Sequence, residues 1–206
     1  MLRIARADDA GKIAAIYRPY VEKTAISFEE LAPGQEAMAA KIATVCSTFP
    51  FIVLEEEAEG KAELLGYAYA TRFRERAAYR WSLEDSVYLR EDAQGRGRGR
   101  LLLSALIELL RELRYVKVYA VITPPNPASV ALHSRLGFRP LCRFEDTAFK
   151  LGAWQAIDWM ELTLRKPASI PEEPIAFPDF ALARPQRLGE ILSGYGERPG
   201  VEAAGA

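Results

Sequence analysis

The chain of 206 residues has few of the side chains on which metal centres and disulfide frameworks depend. It contains two cysteines, Cys46 and Cys142, and a single histidine, His133. Two cysteines are too few for a disulfide framework, and with one histidine they are too few for a zinc site. The sequence therefore predicts a protein without a bound metal.

Long apolar runs and an excess of basic charge are also missing. No stretch of about 18 apolar residues is present, so we expect no membrane span. The first residues carry charges without a long apolar segment after them, which predicts no secretory signal and a cytoplasmic location. The 27 lysines and arginines balance 28 aspartates and glutamates, whereas nucleic-acid binders usually carry a basic excess. We expect neither a membrane nor a nucleic acid as a partner.

Proline density changes near Arg165. Residues 167–206 hold six of the 13 prolines and five of the 14 glycines. Prolines at this density predict that most of the stretch forms neither helix nor strand. We therefore divide the chain into a domain at 1–166 and a Pro/Gly-rich C-terminal extension at 167–206. The extension is expected to be disordered or, because it contains apolar pairs such as Phe180–Leu182, to lie as an arm across a neighbouring surface.

Hydrophobic periodicity within 1–166 predicts a fixed order of strands and helices. Helical spacing follows Asp9 and recurs over Pro33–Cys46, 97–113 and 127–136, and apolar runs between these segments read as strands. The predicted order is β-α-α-β-β-β-α-β-α-β-β. This order is typical of an α/β (α+β) fold, in which a mixed sheet of about seven strands carries helices on both faces.

The segment Gln94–Arg100 lies between a predicted strand and a predicted helix. Its glycines let the backbone turn with N–H groups pointing inward, and the helix start adds a positive dipole. The segment is not a P-loop, and Arg100 stands where a dinucleotide fingerprint needs its third glycine. Three arginines add positive charge: Arg96, Arg98 and Arg100. The segment therefore predicts a site for a polyanion, with a solvated helix cap as the alternative.

Three blocks of sequence carry a resemblance to a known family. Gln94-x-x-Gly97-x-Gly99 matches an acyl-CoA pyrophosphate signature, and Asn126 to Phe138 matches a second signature, Asn-x-x-Ser/Ala…Gly-Phe. The block Ala78 to Leu89 is similar to Ala-Tyr-x-Trp-Thr-Val-Glu-x-Thr/Ser-Val-Tyr. Together they resemble the GNAT superfamily of N-acetyltransferases, and within it the phosphinothricin and methionine sulfoximine/sulfone acetyltransferases. The resemblance spans roughly residues 2–165.

The resemblance implies that acetyl-CoA is the acetyl donor. It implies a mostly antiparallel sheet in which the donor lies between splayed fourth and fifth strands. Backbone groups of Val87, Tyr88 and Leu89 would contact the pantetheine and the thioester carbonyl, and an N–H near Leu89 would stabilise the oxyanion. The other residues implied to bind CoA are Gln94, Gly95, Arg96, Gly97, Arg98, Gly99, Arg100, Asn126 and Ser129.

Two residues are candidates for the proton transfers. An amine attacks a thioester only when neutral, whereas free α-amines are mostly protonated at pH 7. Glu84 is the candidate base, because apolar neighbours favour a raised pKa; its alternatives are an exposed strand carboxylate and a binder of the substrate ammonium. His133 stands where many family members place a tyrosine that protonates the leaving thiolate, and histidine donates protons near neutral pH. The alternative is a histidine packed within its helix.

The resemblance implies an amino-acid-like amine that attacks directly in a ternary complex. Arg72, Arg74 and Arg76 precede an aromatic pair, and a guanidinium suits bidentate binding of a carboxylate or phosphinate. The candidate substrate-binding residues are Phe28, Arg72, Arg76, Tyr79 and Trp81. Alternatives are another amine, such as a polyamine or a protein N-terminus, and a CoA-binding protein without catalysis. The resemblance also implies a homodimer.

Overall fold

The predicted order of strands and helices is confirmed in the computed structural model, which describes residues 1–58 and 60–196. The strands in this part of the chain are β1 (Leu2–Ile4), β2 (Phe51–Ala58), β3 (Lys61–Arg72), β4 (Ser82–Leu89), β5 (Lys117–Ile122), β6 (Arg139–Lys150) and β7 (Ala153–Thr163). The helices are α1 (Ala10–Lys23), α2 (Gln35–Cys46), α3 (Arg98–Glu112), α4 (Pro127–Arg135), α5 (Phe177–Ala183) and α6 (Pro185–Gly196).

The strands form one mixed sheet in the order β1-β2-β3-β4-β5-β7-β6. Every neighbouring pair is antiparallel except β4 and β5. The parallel pairing of β4 with β5 is short, because it runs from Ser82–Lys117 to Glu84–Tyr119 and then stops. Both strands continue beyond that point, to Leu89 and to Ile122. The expected splay between the fourth and fifth strands is therefore present, and it opens directly after Glu84.

Helix α3 supplies the largest block of buried leucine side chains. Leu102, Leu103, Leu106, Leu109 and Leu110 are all 0% exposed, and the helix lies against β2, β3 and β4. Helix α1 packs on the other face of the sheet, where the Tyr17 and Tyr20 rings meet the Tyr88 ring. Burying this many leucines fixes α3 firmly, so the loop that begins α3 is held at the open end of β4.

The C-terminal extension differs from the sequence prediction. Residues 177–196 form helices α5 and α6, and α6 packs on α3 and against β1. The expectation that prolines exclude regular structure is wrong here, because Pro178 and Pro185 lie in the first turn of each helix. A first-turn proline lacks only an N–H that would have no helical partner. The contacts agree with the arm hypothesis; residues 197–206 lie outside the described residues, and the boundary at 166 stays a prediction.

The segment that leads into α5 crosses the start of β4. The Trp81 indole N–H donates to the Glu172 carbonyl at 2.8 Å. The Arg80 guanidinium forms two hydrogen bonds of 2.7 Å with the Glu173 carboxylate and stacks over the Trp81 ring, 4.0 Å from its centroid. The extension thus covers the residues that connect the β3–β4 loop to β4.

The burial of Phe180 predicts that the extension contributes to the stability of the domain. Phe180 is 2% exposed, so Phe180→Ala should lower the free energy of unfolding by about 3–4 kcal/mol, the usual cost of a large core truncation. Urea unfolding followed by circular dichroism measures this change.

The matched control is Leu182→Ala in the same helix, because Leu182 is 85% exposed. It should change the free energy of unfolding by less than about 0.5 kcal/mol. Equal stabilities for the two variants would contradict the packing of α5.

Candidate active site

The end of β4 presents main-chain groups to the opening between β4 and β5. The Phe73 N–H donates to the Ser82 carbonyl and the Arg90 N–H donates to the Leu65 carbonyl. Main-chain direction alternates along a strand, so even-numbered residues of β4 bond to β3 and odd-numbered residues point towards β5. Beyond Glu84, the N–H of Val87 points into the opening, where β5 no longer pairs with it.

Leu89 and Tyr88 do not fit the roles that sequence comparison predicts for their backbone groups. The Tyr20 hydroxyl donates to the Leu89 carbonyl at 2.5 Å and accepts from the Leu89 N–H at 3.3 Å. The Leu89 N–H is therefore already bonded and is a poor candidate for an oxyanion donor. Tyr88 is an even-numbered residue whose backbone pairs with Tyr67 of β3. Among these three predicted residues, Val87 is the one that points into the opening without a bond to Tyr20.

Two glycines of the loop before α3 adopt a conformation that side chains disfavour. Gly95 and Gly97 have φ values of 73° and 75°, in the left-handed region that glycine occupies without strain. No described atom lies within 4 Å of where a Cβ would stand at either residue, so both face open space. Gly99 differs, since a Cβ there would lie 3.3 Å from the Leu132 side chain of α4. The first N–H groups of α3 have no helical acceptor and lie beside this glycine turn.

The polar side chains of the loop divide into exposed and bonded groups. Arg96 and Arg100 are exposed. Arg98 donates to the Glu56 carboxylate of β2 at 2.8 Å and is largely buried. The Gln94 amide donates to the Tyr20 hydroxyl at 3.0 Å. Arg98 is therefore already engaged in an ion pair, whereas the exposed Arg96 and Arg100 stay candidates for binding an anion.

Glu84 lies where the pairing of β4 with β5 ends. Its side chain is 29% exposed, and the Arg74 guanidinium lies 3.1 Å from one carboxylate oxygen. Burial raises the pKa of Glu84, the charge and hydrogen bond of Arg74 oppose this, and the Asp85 carboxylate adds to the rise. The net pKa is raised, which agrees with the direction expected from the sequence.

The Arg74 guanidinium lies against two aromatic rings, Phe73 and Trp159, which belong to a larger group. The Phe73 ring stacks on Tyr119 at 4.4 Å between centroids and meets Tyr79 and Trp159 edge-on at 5.7 and 5.8 Å. Arg74 lies over the Phe73 ring at 4.3 Å. The Trp159 indole N–H is buried and has no acceptor among the described residues. We call Phe73, Tyr79, Tyr119 and Trp159 the aromatic cluster.

The arginine contacts differ from the sequence prediction. Arg72 pairs with Leu83, whereas Thr71 pairs with Glu84. Paired residues share a face of the sheet and neighbours alternate, so Arg72 and Glu84 lie on opposite faces. This placement argues against the predicted substrate contact of Arg72. Arg76, the other predicted arginine, is exposed, and its substrate contact stays a prediction. Arg74, one of the three arginines noted in the sequence, lies beyond the end of β3. Its contact with Glu84 therefore depends on the course of the β3–β4 loop and could not be predicted from strand alternation.

Two further predicted substrate residues have different surroundings. Trp81 is held by Glu172 of the C-terminal extension, which argues against a substrate contact there. Phe28 is 38% exposed and follows Ser27, whose hydroxyl lies 2.7 Å from the Tyr17 hydroxyl. The buried Lys150 ammonium donates to the carbonyls of Ser27 and Val21. Lys150, which sequence reasoning did not single out as a site residue, thus fixes the loop that carries Phe28.

His133 lies in α4, whose N-terminus is capped by Asn126. The Asn126 side-chain oxygen accepts from the Ser129 N–H at 3.1 Å, as an N-cap residue does. His133 is 3% exposed, with Nε2 at 3.0 Å from the Asp85 carboxylate and Nδ1 at 2.8 Å from the Ser129 carbonyl. Burial lowers the pKa of His133, but the Asp85 carboxylate outweighs it and the pKa is raised. These contacts favour a packed histidine over one that meets a ligand directly, and its catalytic role stays a prediction.

Comparison with known proteins identifies the family of this chain. Residues 2–159 match the Acetyltransferase (GNAT) domain. The chain belongs to the GNAT acetyltransferases. A phosphinothricin N-acetyltransferase of Alcaligenes faecalis is 40% identical over 155 residues, which cover 74% of this chain and 77% of the relative. An L-methionine sulfoximine/L-methionine sulfone acetyltransferase of Pseudomonas paraeruginosa is 34% identical, over 82% of this chain and 98% of the relative.

A solved structure shares the fold of this GNAT enzyme. The phosphinothricin acetyltransferase of Sinorhizobium meliloti in complex with AcCoA superposes with a TM-score of 0.78 at 35% identity. The match covers 86% of this chain and 97% of that structure.

Residues 1–58 and 60–196 contain no cluster of His, Cys, Asp or Glu that is suited to hold a metal ion. No helix in the same ranges is both long and apolar enough to cross a membrane. The cytoplasmic location of this GNAT enzyme stays a prediction.

The ion pair between Arg74 and Glu84 predicts how the carboxyl group titrates. Arg74→Gln should raise the pKa of Glu84 further, because it removes the nearest positive charge and leaves the effects of burial and Asp85. Carboxyl ¹³C NMR across a pH series measures this change. Arg72→Gln is the matched control and should leave the pKa unchanged, since Arg72 lies on the opposite face. Equal shifts in the two variants would contradict the assigned geometry.

Proposed function

We propose that the protein transfers acetyl from acetyl-CoA to the α-amine of a small amino-acid-like substrate of the phosphinothricin, methionine sulfoximine or methionine sulfone type. The amine attacks directly in a ternary complex. The observation that carries the proposal is the position of Glu84, at the end of the β4–β5 pairing and beside Arg74 and the aromatic cluster. The names of the relatives support the substrate class.

The donor side of the opening fits an extended thioester with a diphosphate. Val87 presents an unpaired edge to which a pantetheine arm can add like a strand, and its N–H can donate to an oxygen that gains negative charge. Gly95, Gly97 and the first N–H groups of α3 form a concave turn suited to a diphosphate. Arg96 and Arg100 supply exposed positive charge. When bound there, acetyl-CoA supplies an acetyl group activated as a thioester.

On the side of the opening that would bind the amine, the candidate base Glu84 lies next to the Arg74 guanidinium. Glu84 removes the amine proton, and its raised pKa brings the carboxyl closer to the working pH, which favours base catalysis. Arg74 keeps further N–H donors for the carboxylate or phosphinate of the substrate. The aromatic cluster packs around the substrate side chain. A cationic polyamine fits less well, because Arg74 would repel it.

Thiol release tests the proposal directly. The purified protein is supplied with acetyl-CoA and one amine at a time, and free thiol is measured. The amines are phosphinothricin, methionine sulfoximine, methionine sulfone, a polyamine and a peptide with a free N-terminus. The proposal expects turnover with one or more of the first three and slower reaction with the others. Turnover confined to the polyamine or the peptide would contradict the substrate class, and no turnover with any amine would contradict the activity.

Replacing the candidate base predicts a loss of activity. Glu84→Gln should lower kcat/KM by about 10²–10⁴-fold, the usual contribution of general base catalysis. The variant should also lose the acidic limb of the pH profile, because that limb reports protonation of Glu84. Glu57→Gln, an exposed residue of β2, is the matched control. An unchanged kcat/KM in Glu84→Gln across the pH range would contradict the assignment.

The glycine turn predicts a specific loss of donor binding. Gly97→Ala forces a side chain into the left-handed region, at a cost of about 1–2 kcal/mol, so acetyl-CoA affinity should fall about tenfold. Titration calorimetry measures the affinity. Gly34→Ala is the control, because Gly34 has a φ of −74° and no described atom within 4 Å of its Cβ position. Equal affinities in both variants would contradict the role of the turn.

We also propose a homodimer. Phe144, Phe149 and Trp154 of β6 and β7 are 51%, 59% and 62% exposed, and exposed apolar patches of this kind support an interaction surface. Light scattering on the pure protein distinguishes a monomer of 23.0 kDa from a dimer of twice that mass.

A further inference from the structure

A chain of hydrogen bonds links Asp85 of β4, through His133, to Ser129 near the start of α4. Asp85 follows Glu84 in the strand, so its side chain projects from the opposite face of the sheet. There its carboxylate meets His133 Nε2 at 3.0 Å, and His133 Nδ1 lies 3.3 Å from the Ser129 hydroxyl. The side chains of Asp85 and His133 are 1% and 3% exposed, whereas Ser129 is only half-buried. The chain therefore leads from a dry interior towards the surface.

The partners of His133 fix its protonation by geometry. Nε2 faces the Asp85 carboxylate, and Nδ1 faces the Ser129 carbonyl at 2.8 Å. A carbonyl and an ionised carboxylate only accept hydrogen bonds, and a neutral imidazole has one N–H. Both contacts are satisfied together by the imidazolium, which has two N–H groups. The raised pKa of His133 agrees with this state.

The pairing is not arranged for stability alone. Asp85 Oδ1 is buried and has no hydrogen-bond partner in the described part of the chain. An unpaired buried carboxylate oxygen costs free energy, and buried ion pairs are often no more stable than apolar residues in their place. A buried pair with one oxygen unpaired, in the strand that carries Glu84, is better explained by a function.

We propose that Asp85 is a positioning residue that holds His133 as a proton donor, which acts through the Ser129 hydroxyl on the leaving thiolate. The inference rests on the proposed function. As the new C–N bond forms and the C–S bond breaks, the sulfur takes the Ser129 hydroxyl proton. Ser129 takes the Nδ1 proton of His133, which becomes neutral and keeps its Nε2–H bonded to Asp85. Glu84 removes the amine proton on the other face, and solvent restores both groups.

Among the residues that the structure describes, few other groups act on His133. The Phe138 ring, which follows α4, meets it edge-on at 4.9 Å. Asp85 is the titratable residue that raises its pKa, from β4, and Ser129 acts from the same helix through its carbonyl. Glu84 projects from the other face of β4 and pairs with Arg74 there. Changing Asp85 therefore changes the charge that faces the imidazole.

The chain offers a direct readout, because His133 is its single histidine. In the full-length protein, imidazole ¹H and ¹⁵N NMR signals report His133 alone. In the wild type, the pKa of His133 should lie above the ordinary value of 6.5. In Asp85→Asn it should lie below 6.5, because burial then lowers the pKa without the opposing charge of Asp85. Asp8→Asn is the matched control at an exposed aspartate and should titrate as the wild type does. An unchanged titration in Asp85→Asn would overturn the inference whether or not the protein turns over acetyl-CoA.

Thiol-release kinetics test the proton path. In Asp85→Asn, kcat at pH 7 should fall about tenfold or more, while KM for the amine stays within about twofold because Glu84 and Arg74 are untouched. Ser129→Ala removes the hydroxyl but keeps the main-chain carbonyl of residue 129 and the Asp85 carboxylate. It should therefore leave the pKa of His133 unchanged and still lower kcat. A normal kcat in Ser129→Ala would overturn the path. A normal kcat in Asp85→Asn, in spite of a lowered pKa of His133, would overturn it too. Absence of thiol release by the wild type would instead overturn the proposed function. The NMR result does not depend on that function, so the two failures can be told apart.

Discussion

The short pairing between β4 and β5 is the constraint on which the rest of the site depends. The two strands run parallel for three paired positions and separate after Glu84 and Tyr119. Buried backbone groups must be hydrogen-bonded, so a sheet opens only where other partners exist. Tyr20 satisfies both outward groups of Leu89, and the Val87 N–H is left facing the opening. The same separation places Glu84 at the narrow end of the opening, which is where the proposed function has it remove a proton from the amine.

The alternation of β4 gives two neighbouring carboxylates different environments. Glu84 faces Arg74 and the aromatic cluster and is partly exposed, whereas Asp85 faces α4 and is almost fully buried. One carboxylate is therefore suited to meet substrate, and the other to hold a cation inside the protein. Gly99 allows this arrangement, because its missing side chain lets the start of α3 approach Leu132 of α4 and Leu89 of β4. Local strand geometry thus connects the donor site, the acceptor site and the packing of α4.

Much of the fold could be predicted from the sequence because it depends on local patterns. The strand and helix order follows from apolar spacing, and the turn before α3 follows from its glycines. The helices of the extension were not predicted, because counting prolines ignores that a proline in the first turn, such as Pro178 or Pro185, is compatible with a helix. The contact of Glu84 with Arg74 depends on the course of the β3–β4 loop, and Trp81 donates a hydrogen bond to Glu172, far along the chain. Such long-range contacts leave no local signal in the sequence.

Amide hydrogen exchange at Val87, with and without acetyl-CoA, tests the central claim most directly. NMR resolves this single N–H, and Tyr88, whose backbone pairs with β3, serves as the internal reference. If the donor adds to the open edge of β4, exchange at Val87 should slow when acetyl-CoA is added, while exchange at Tyr88 changes little. Equal exchange at Val87 with and without saturating acetyl-CoA would contradict the account.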